Sequence, residues 1–383
     1  MVLVNTPPGT RLSVTAPEDQ SATFVELFFD LVFVFAVTQV VGLLHGGTWT
    51  GAGQAVLAFW LVWWAWTQFT WTLNASNTTH PWIEFGTLLA TAAAFFMAIA
   101  LPNAFHERAL DFAVAYTTVR LIGLAFQLWV TWETPSQRAA VKTFALVSLG
   151  GLAAVLVGGF MGAAALLWFW GLAIVLDVVA ALAGGRAEGW NLHAEHFAER
   201  HGLFVIIALG ETLIVAAGGV SGERWSPELI AGAGAVVVLT CGLWWSYFTR
   251  AKPVLEHALA SRSGTLKSRL ARDAFSLLHF PMMCGVIAYA FATEEAVAHL
   301  GEPLAWAGRL ALGLTLFAGG TALAVWWATR RVLLTRLTLL AGTAATVLMM
   351  ATASAWLTVV VAATGVTLIA LSEQSWGGAA DAH

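Results

Sequence analysis

Glu26 and Asp30 stand four residues apart in FVELFFDLVFVFAVTQV, residues 24–40, a run otherwise built almost wholly from apolar side chains. On a helix that spacing puts both carboxylates on one face. A second acidic run is ERHGLFVIIALGET, residues 199–212, which carries Glu199, His201 and Glu211. Arg120 and Asp177 interrupt two further apolar stretches, and His279 opens the triplet His279-Phe280-Pro281. Ionisable groups in such surroundings have two uses. They pair and fix helix register, or they bind and release protons and ions along a pathway.

Composition shows where these groups must be held. The chain has 383 residues, of which 59% are hydrophobic and 10% charged, and its mean hydropathy is +0.77. Soluble domains carry about a quarter charged residues, so this chain cannot cover itself with a hydrated surface. Twenty tryptophans against three tyrosines also suit lipid and its interfaces. The fold class is therefore an all-α polytopic membrane protein, because separate spans satisfy their backbones in lipid only as helices. A span needs about 20 apolar residues. Twelve such stretches are expected, at roughly 24–45, 52–73, 82–101, 109–132, 140–159, 162–183, 200–220, 227–248, 272–293, 303–327, 332–351 and 355–372. Both termini are expected to be cytoplasmic. The amino-terminal tail and even-numbered loops then hold fourteen Lys and Arg residues, against Arg108 and Arg224 in the odd-numbered loops, a strong positive-inside bias.

The two cysteines, Cys241 and Cys284, both fall in apolar stretches, so neither a disulfide framework nor a zinc cluster is implied. Residues 1–23 include Pro7, Pro8, Pro17, Glu18 and Asp19 without a basic region before a cleavage site. They read as a disordered cytoplasmic tail rather than a signal peptide.

The chain also repeats itself. ELFFDLVFVFAVTQ (26–39) aligns without gaps on ERHGLFVIIALGET (199–212), LVWWAWTQFT (61–70) matches CGLWWSYFT (241–249), and RLIGL (120–124) matches RLALGL (309–314). The matches fall in the same order, which predicts two parallel six-helix repeats, 24–183 and 200–372. A cytoplasmic connection at 184–199 would join them, and a tail would close the chain at 373–383. An even number of helices per repeat inserts both halves the same way round, as in some transporters.

Within the spans, Arg120 needs an acid or a wet cavity, since its charge persists. Glu211 lies at matching depth and Asp30 next, so Arg120 is expected to pair with one or both. His279 with Pro281 predicts a freed carbonyl, at a proline kink with a satisfied histidine or, as the alternative, at a broken helix of the kind that lines transporter sites. HAEHFAERH, residues 193–201, places His193, His196 and Arg200 on one face. It lacks the zinc-protease order of ligands and reads as an amphipathic cytoplasmic lead-in, with no metal expected. The aromatic second span (Phe59, Trp60, Trp63, Trp64, Trp66, Phe69, Trp71) is expected to pack against neighbouring helices. Gly158 and Gly162 form a GxxxG in the turn between the fifth and sixth spans that should permit close packing there. No phosphate loop, nucleophile elbow or paired-cysteine site is present, so no enzyme activity and no cofactor are expected.

VELFFDLVFVFAV (25–37) together with ERHGLFVIIALGET (199–212) resembles the bacterial low temperature requirement protein A (LtrA) family, over nearly the whole chain from about Ser21 to Ser372. The resemblance implies a multi-pass membrane protein of the bacterial inner membrane. It also marks Glu26, Asp30, Glu199, His201 and Glu211 as characteristic polar positions, and it carries no settled biochemical activity. The function expected from all this is proton-coupled secondary transport of a small solute. The pathway residues would be Glu26, Asp30, Arg120, Glu199, His201, Glu211 and His279. A non-transporting scaffold or sensor in cold or envelope stress is the alternative. The partners expected are membrane lipids and a small-molecule or ion substrate, with no nucleic acid.

Overall fold

The first helix starts where its acids require it. Thr23 is the N-cap and Glu26 the third helical residue, and together they close a capping box, which satisfies two of the amide groups a helix start leaves open. In the computed structural model, which describes residues 13–17, 19–184, 190, 192–218 and 224–372, helix follows helix in the same manner. The order is α1 (Phe24–Gly42), α2 (Trp49–Ala75), α3 (Pro81–Ala100), α4 (Ala109–Val130), α5 (Pro135–Met161), α6 (Ala163–Gly184), α7 (Ala194–Gly218), α8 (Pro227–Ala260), α9 (Gly264–Ala298), α10 (Ala307–Thr329), α11 (Leu334–Met349) and α12 (Ala355–Ser372). Among the described residues there are no strands, only isolated bridges at Thr15–Ser76 and Pro303–Ser354. Arg11, Arg186, residues 185–189 of the expected connection and the whole 373–383 tail lie outside the described residues.

Ten of these helices are long and apolar enough to cross a membrane, and the chain is a multi-pass membrane protein. Their outward faces carry large exposed apolar side chains, such as Phe24, Phe28 and Leu31 on α1 and Leu88, Phe95 and Phe96 on α3. Lipid is the medium in which such a surface is stable. The twelve expected spans exceed the ten by α2 and α11. The α11 helix is 16 residues long. The α2 helix runs for 27 residues, and each one from Ala58 to Thr70 is buried. A helix enclosed on all sides by protein has no lipid face to furnish. It is therefore free to carry indoles, Thr67, Gln68 and Asn74, and these hold its hydropathy down.

Helix neighbours follow one scheme in both halves. α1 packs on α2 and α3, α3 on α4, α4 on α5 and α5 on α6; likewise α7 packs on α8 and α9, α9 on α10, α10 on α11 and α11 on α12. α1 and α7 also meet directly. Described residues of the amino-terminal segment dock on the end of α2, where Ala16 N–H donates to Ala75 O at 3.0 Å and Asn77 N–H to Val14 O at 2.8 Å.

Small residues set the closest crossings, because lipid supplies no hydrophobic drive between helices. At the α9–α10 crossing a Cβ added to Gly285 would stand 2.7 Å from both Gly313 O and Phe317 N. The expected GxxxG divides its labour. Gly158 lies against Phe169 and Trp170, whereas Gly162 has open space around it and a φ of 77°, so it serves the turn between α5 and α6 rather than the packing.

Three π-helical turns interrupt the second half, at Tyr247–Ala251 in α8, Ala271–Leu277 in α9 and Thr315–Gly319 in α10. The second ends two residues before His279. Pro281 has no N–H to offer the preceding turn, and the extra residue of a π turn accommodates that gap without ending the helix.

Gly285→Ala is expected to lower the thermal unfolding midpoint of the detergent-purified protein, by a cost of about 1–3 kcal/mol for overpacking against backbone. Gly210→Ala is expected to leave it unchanged or raised, since no heavy atom lies within 4 Å of the added carbon.

Candidate functional site

The two acids of α1 meet a partner on α7. Arg200 Nη1 donates to Glu26 Oε1 at 2.5 Å, Nη2 to Asp30 Oδ1 at 2.6 Å and Nε to Asp30 Oδ2 at 3.2 Å. All three side chains have no exposed surface. The planar guanidinium spans both carboxylates because they share a helical face one turn apart, a match that a lysine point charge cannot make.

The remaining lone pairs are also taken. Trp66 Nε1–H donates to Asp30 Oδ1 at 2.7 Å. Thr23 N–H and Oγ1–H both donate to Glu26 Oε2 at 2.9 Å. His196 Nε2 lies 3.1 Å from Glu26 Oε1. The tautomer of His196 follows from Asn74 at the end of α2. Asn74 Oδ1 accepts from His193 N–H and Nδ2 donates to His193 O, each at 2.9 Å, so its amide orientation is fixed. Nδ2 therefore also donates to His196 Nδ1, 3.1 Å away, which leaves the hydrogen on Nε2 to face Glu26.

The cluster thus holds two carboxylates against one guanidinium. Both α1 and α7 begin here, and the positive ends of their dipoles offset the excess negative charge.

The expectation that Arg120 pairs with Glu211 or Asp30 is corrected. Arg120 Nη1 donates to Asp177 Oδ1 on α6 at 3.1 Å and to Tyr116 Oη at 2.5 Å, and Nε to Gln68 on α2. Asp177 on α6, and neither Asp30 nor Glu211, turns its carboxylate towards Arg120 on α4. Glu211 instead accepts from Thr38 Oγ1–H at 3.0 Å, across the α1–α7 contact. Glu199 accepts from Ala22 N–H at 3.0 Å and so ties the chain ahead of α1 to α7. The lead-in reading of residues 193–201 is likewise corrected, since His196, Arg200 and His201 are all buried inside the bundle.

His201 and His279 form a third group. His279 Nδ1 donates to Ala274 O at 2.8 Å inside the π turn, so Nε2 accepts the Tyr247 hydroxyl hydrogen, also at 2.8 Å. His201 Nδ1 donates to Phe197 O at 2.9 Å. Its Nε2 is buried and finds no partner among the described residues, with the rings of Trp66, Phe275 and His279 around it at 5.0–5.4 Å. The aromatic density of α2 is interior packing with specific duties. Trp63 Nε1–H donates to Ser276 O at 2.7 Å and Trp71 Nε1–H to Ser276 Oγ at 2.9 Å.

Sequence reasoning named Arg200 only as a helix-face neighbour of two histidines, and it named Asp177 without a partner. The signal for Arg200 was its place four residues after His196 and one after Glu199, immediately before an apolar run.

A family model described as "Bacterial low temperature requirement A protein (LtrA)" matches residues 21–371. The uncharacterized protein RA0937 of Rhizobium meliloti (strain 1021) is 30% identical over 301 residues, covering 74% of this chain and 71% of its own length. No solved structure matches the chain.

Trp66→Phe keeps a ring in the core but deletes the donor to Asp30. The expected loss, read from denaturant unfolding in micelles, is about 1–3 kcal/mol for a buried carboxylate deprived of a partner. Trp60→Phe, whose indole N–H closes no hydrogen bond, is expected to cost less.

Proposed function

The chain belongs to the bacterial low temperature requirement A (LtrA) family, and we propose that it is a proton-coupled secondary transporter of a small solute in the bacterial inner membrane. The observation that carries this reading is the α1–α7 contact. It bears ionisable and hydroxyl groups from Glu26, Asp30, His196 and Arg200 at one level to Thr38 and Glu211 at another. Twelve residues separate Glu26 from Thr38, or about 18 Å along a helix. Such groups inside spans mark ion and proton pathways by default.

In this reading α2 and α11 join the ten apolar helices as spans, giving twelve in two parallel repeats with both termini cytoplasmic. The shared order of helix neighbours in the two halves supports the repeat, and the contact of α1 with α7 brings the first helices of both halves together. Arg200 and Arg336 are buried within helices rather than in loops. The other cytoplasmic Lys and Arg residues still far outnumber Arg108 and Arg224, which supports the orientation.

The acids divide their roles. Glu26 and Asp30 are closed in by Arg200 and hold the halves together. Glu211 is half-buried and forms no ion pair among the described residues, which suits it to exchange a proton. Proteoliposomes loaded with a pH-sensitive dye and given an imposed gradient are expected to show proton flux with the wild type and none with Glu211→Gln. Unchanged flux in Glu211→Gln at equal incorporation contradicts the assignment.

A further inference from the structure

The Arg120–Asp177 pair differs from the Arg200 cluster in being unfinished. Both side chains are buried, yet among the described residues Arg120 Nη2 and Asp177 Oδ2 have no hydrogen-bond partner. The indole N–H groups of Trp60 and Trp64, stacked with centroids 5.3 Å apart, face the same carboxylate without closing a hydrogen bond. A buried donor or acceptor left open costs about 1–3 kcal/mol, so several converging on one point indicate a place where another polar species binds.

A pocket lies beside that place, lined by neighbours of the pair and not by Arg120 or Asp177 themselves. It measures about 50 Å³ and is lined by Trp64, Thr67, Gln68, Gln127, Ala181 and Arg272, among others. Trp64 faces Asp177, Gln68 holds Arg120, and Ala181 lies one helical turn from Asp177. That pocket has room for roughly three or four water-sized species. Thr67 Oγ1 and Gln127 Oε1 are further buried polar atoms without hydrogen-bond partners among the described residues.

We propose that Arg120 and Asp177 form a binding site for a small planar oxyanion, taken up together with one proton. The inference rests on the proton-coupled reading above and names the substrate class. The physical reason is charge balance. One cation and one anion are tolerable in the interior, whereas an unpaired charge is strongly destabilising. A second anion therefore enters only as Asp177 accepts a proton. Protonation discharges the carboxylate and frees Arg120 Nη1, so that Nη1 and Nη2 together present the two-pronged edge that fits a planar oxyanion. The Trp60 and Trp64 N–H groups then supply two more donors. No bond to carbon changes; the carboxylate gains one proton, and the anion replaces it as the counter-charge of Arg120.

The neighbours admit this exchange. From α4, Asp177 meets Arg120 and Tyr116; from α2 it meets Trp60 and Trp64. On α5, Phe144 lies opposite Gly184 and Gly151 opposite Ala173 and Leu176, which puts Ser148 level with Asp177. The buried face of α5 carries no ionisable side chain. Among the described residues, Asp177 is thus the acid that pairs with Arg120 at this level.

The test uses the full chain in detergent, near neutral pH and weakly buffered, titrated with sodium formate and with sodium nitrate. Binding is followed by calorimetry and proton uptake by a pH electrode. Each anion is expected to bind with uptake of about one proton per chain, because binding and protonation are linked. Asp177→Asn is expected to bind the anion without proton uptake and to unfold at a higher temperature as formate is added. Arg120→Gln is expected to do neither. If Asp177→Asn does not survive purification, formate present throughout should recover it, and failure to do so counts against the site. Absence of binding by the wild type overturns the inference, as does binding without proton uptake or uptake that persists in Asp177→Asn. Because these are binding readouts, anion-linked uptake in detergent without proton flux in vesicles would sink the transport reading and leave this site standing.

Discussion

A guanidinium sealed from water between two carboxylates is the constraint on which the rest of this structure depends. Each ion removed from water costs several kcal/mol even after relaxation, and mutual attraction offsets that only with good geometry and every remaining lone pair satisfied. Arg200 meets Glu26 and Asp30 through three hydrogen bonds. That requirement extends outward. It fixes the start of α1 through the Thr23–Glu26 box, the register of α2 through Trp66 and Asn74, and the start of α7 through His196. Three separate stretches of chain are placed by one charge balance, which closes the contact between α1 and α7.

Environment sorts the buried arginines into different kinds. Arg200 is fully enclosed and its partners are saturated. Arg120 is equally enclosed, but among the described residues its Nη2 and one of the two Asp177 carboxylate oxygens have no hydrogen-bond partner. Arg309, which the repeat aligns with Arg120, is only partly buried. It stacks on Trp306 and Phe291 and donates to Leu44 O near the end of α1 at 3.0 Å, where a cation suits the negative end of a helix dipole. The matching segments RLIGL and RLALGL thus carry one arginine in the interior and the other near a helix terminus. The three π turns all fall in the second half, so the two halves also differ in backbone.

Much of the architecture was legible because lipid narrows the choices. Apolar length alone marked α1, α3 and the paired α11 and α12, including the short break at Ala351–Ser354. The Glu26–Asp30 spacing announced a shared face, and the face is real. What sequence could not show was which helix faces it. Rise per residue fixes the level of a side chain in the membrane, but rotation about the helix and the neighbour across the gap come from packing. Arg120 was therefore matched to acids of similar depth on α1 and α7, when the acid turned towards it belongs to α6. Arg200 was hidden by its context, since HAEHFAERH looks like a polar lead-in until α2 and α1 are seen to cover it. The turn at Gly162 was legible, but its spacing from Gly158 also suggested packing, and the open space around it leaves it the turn alone.

The claim that one buried charge balance joins α1 to α7 is tested most directly by a double-mutant cycle on Asp30 and Arg200, using Asp30→Asn, Arg200→Met and the pair, with unfolding free energies measured in micelles. Close, desolvated charge pairs couple by at least about 1.5 kcal/mol. A coupling of that size or more is the predicted result, with the double variant more stable than the sum of the single losses implies. Losses that add to within about 0.5 kcal/mol, as for independent sites, would contradict the account.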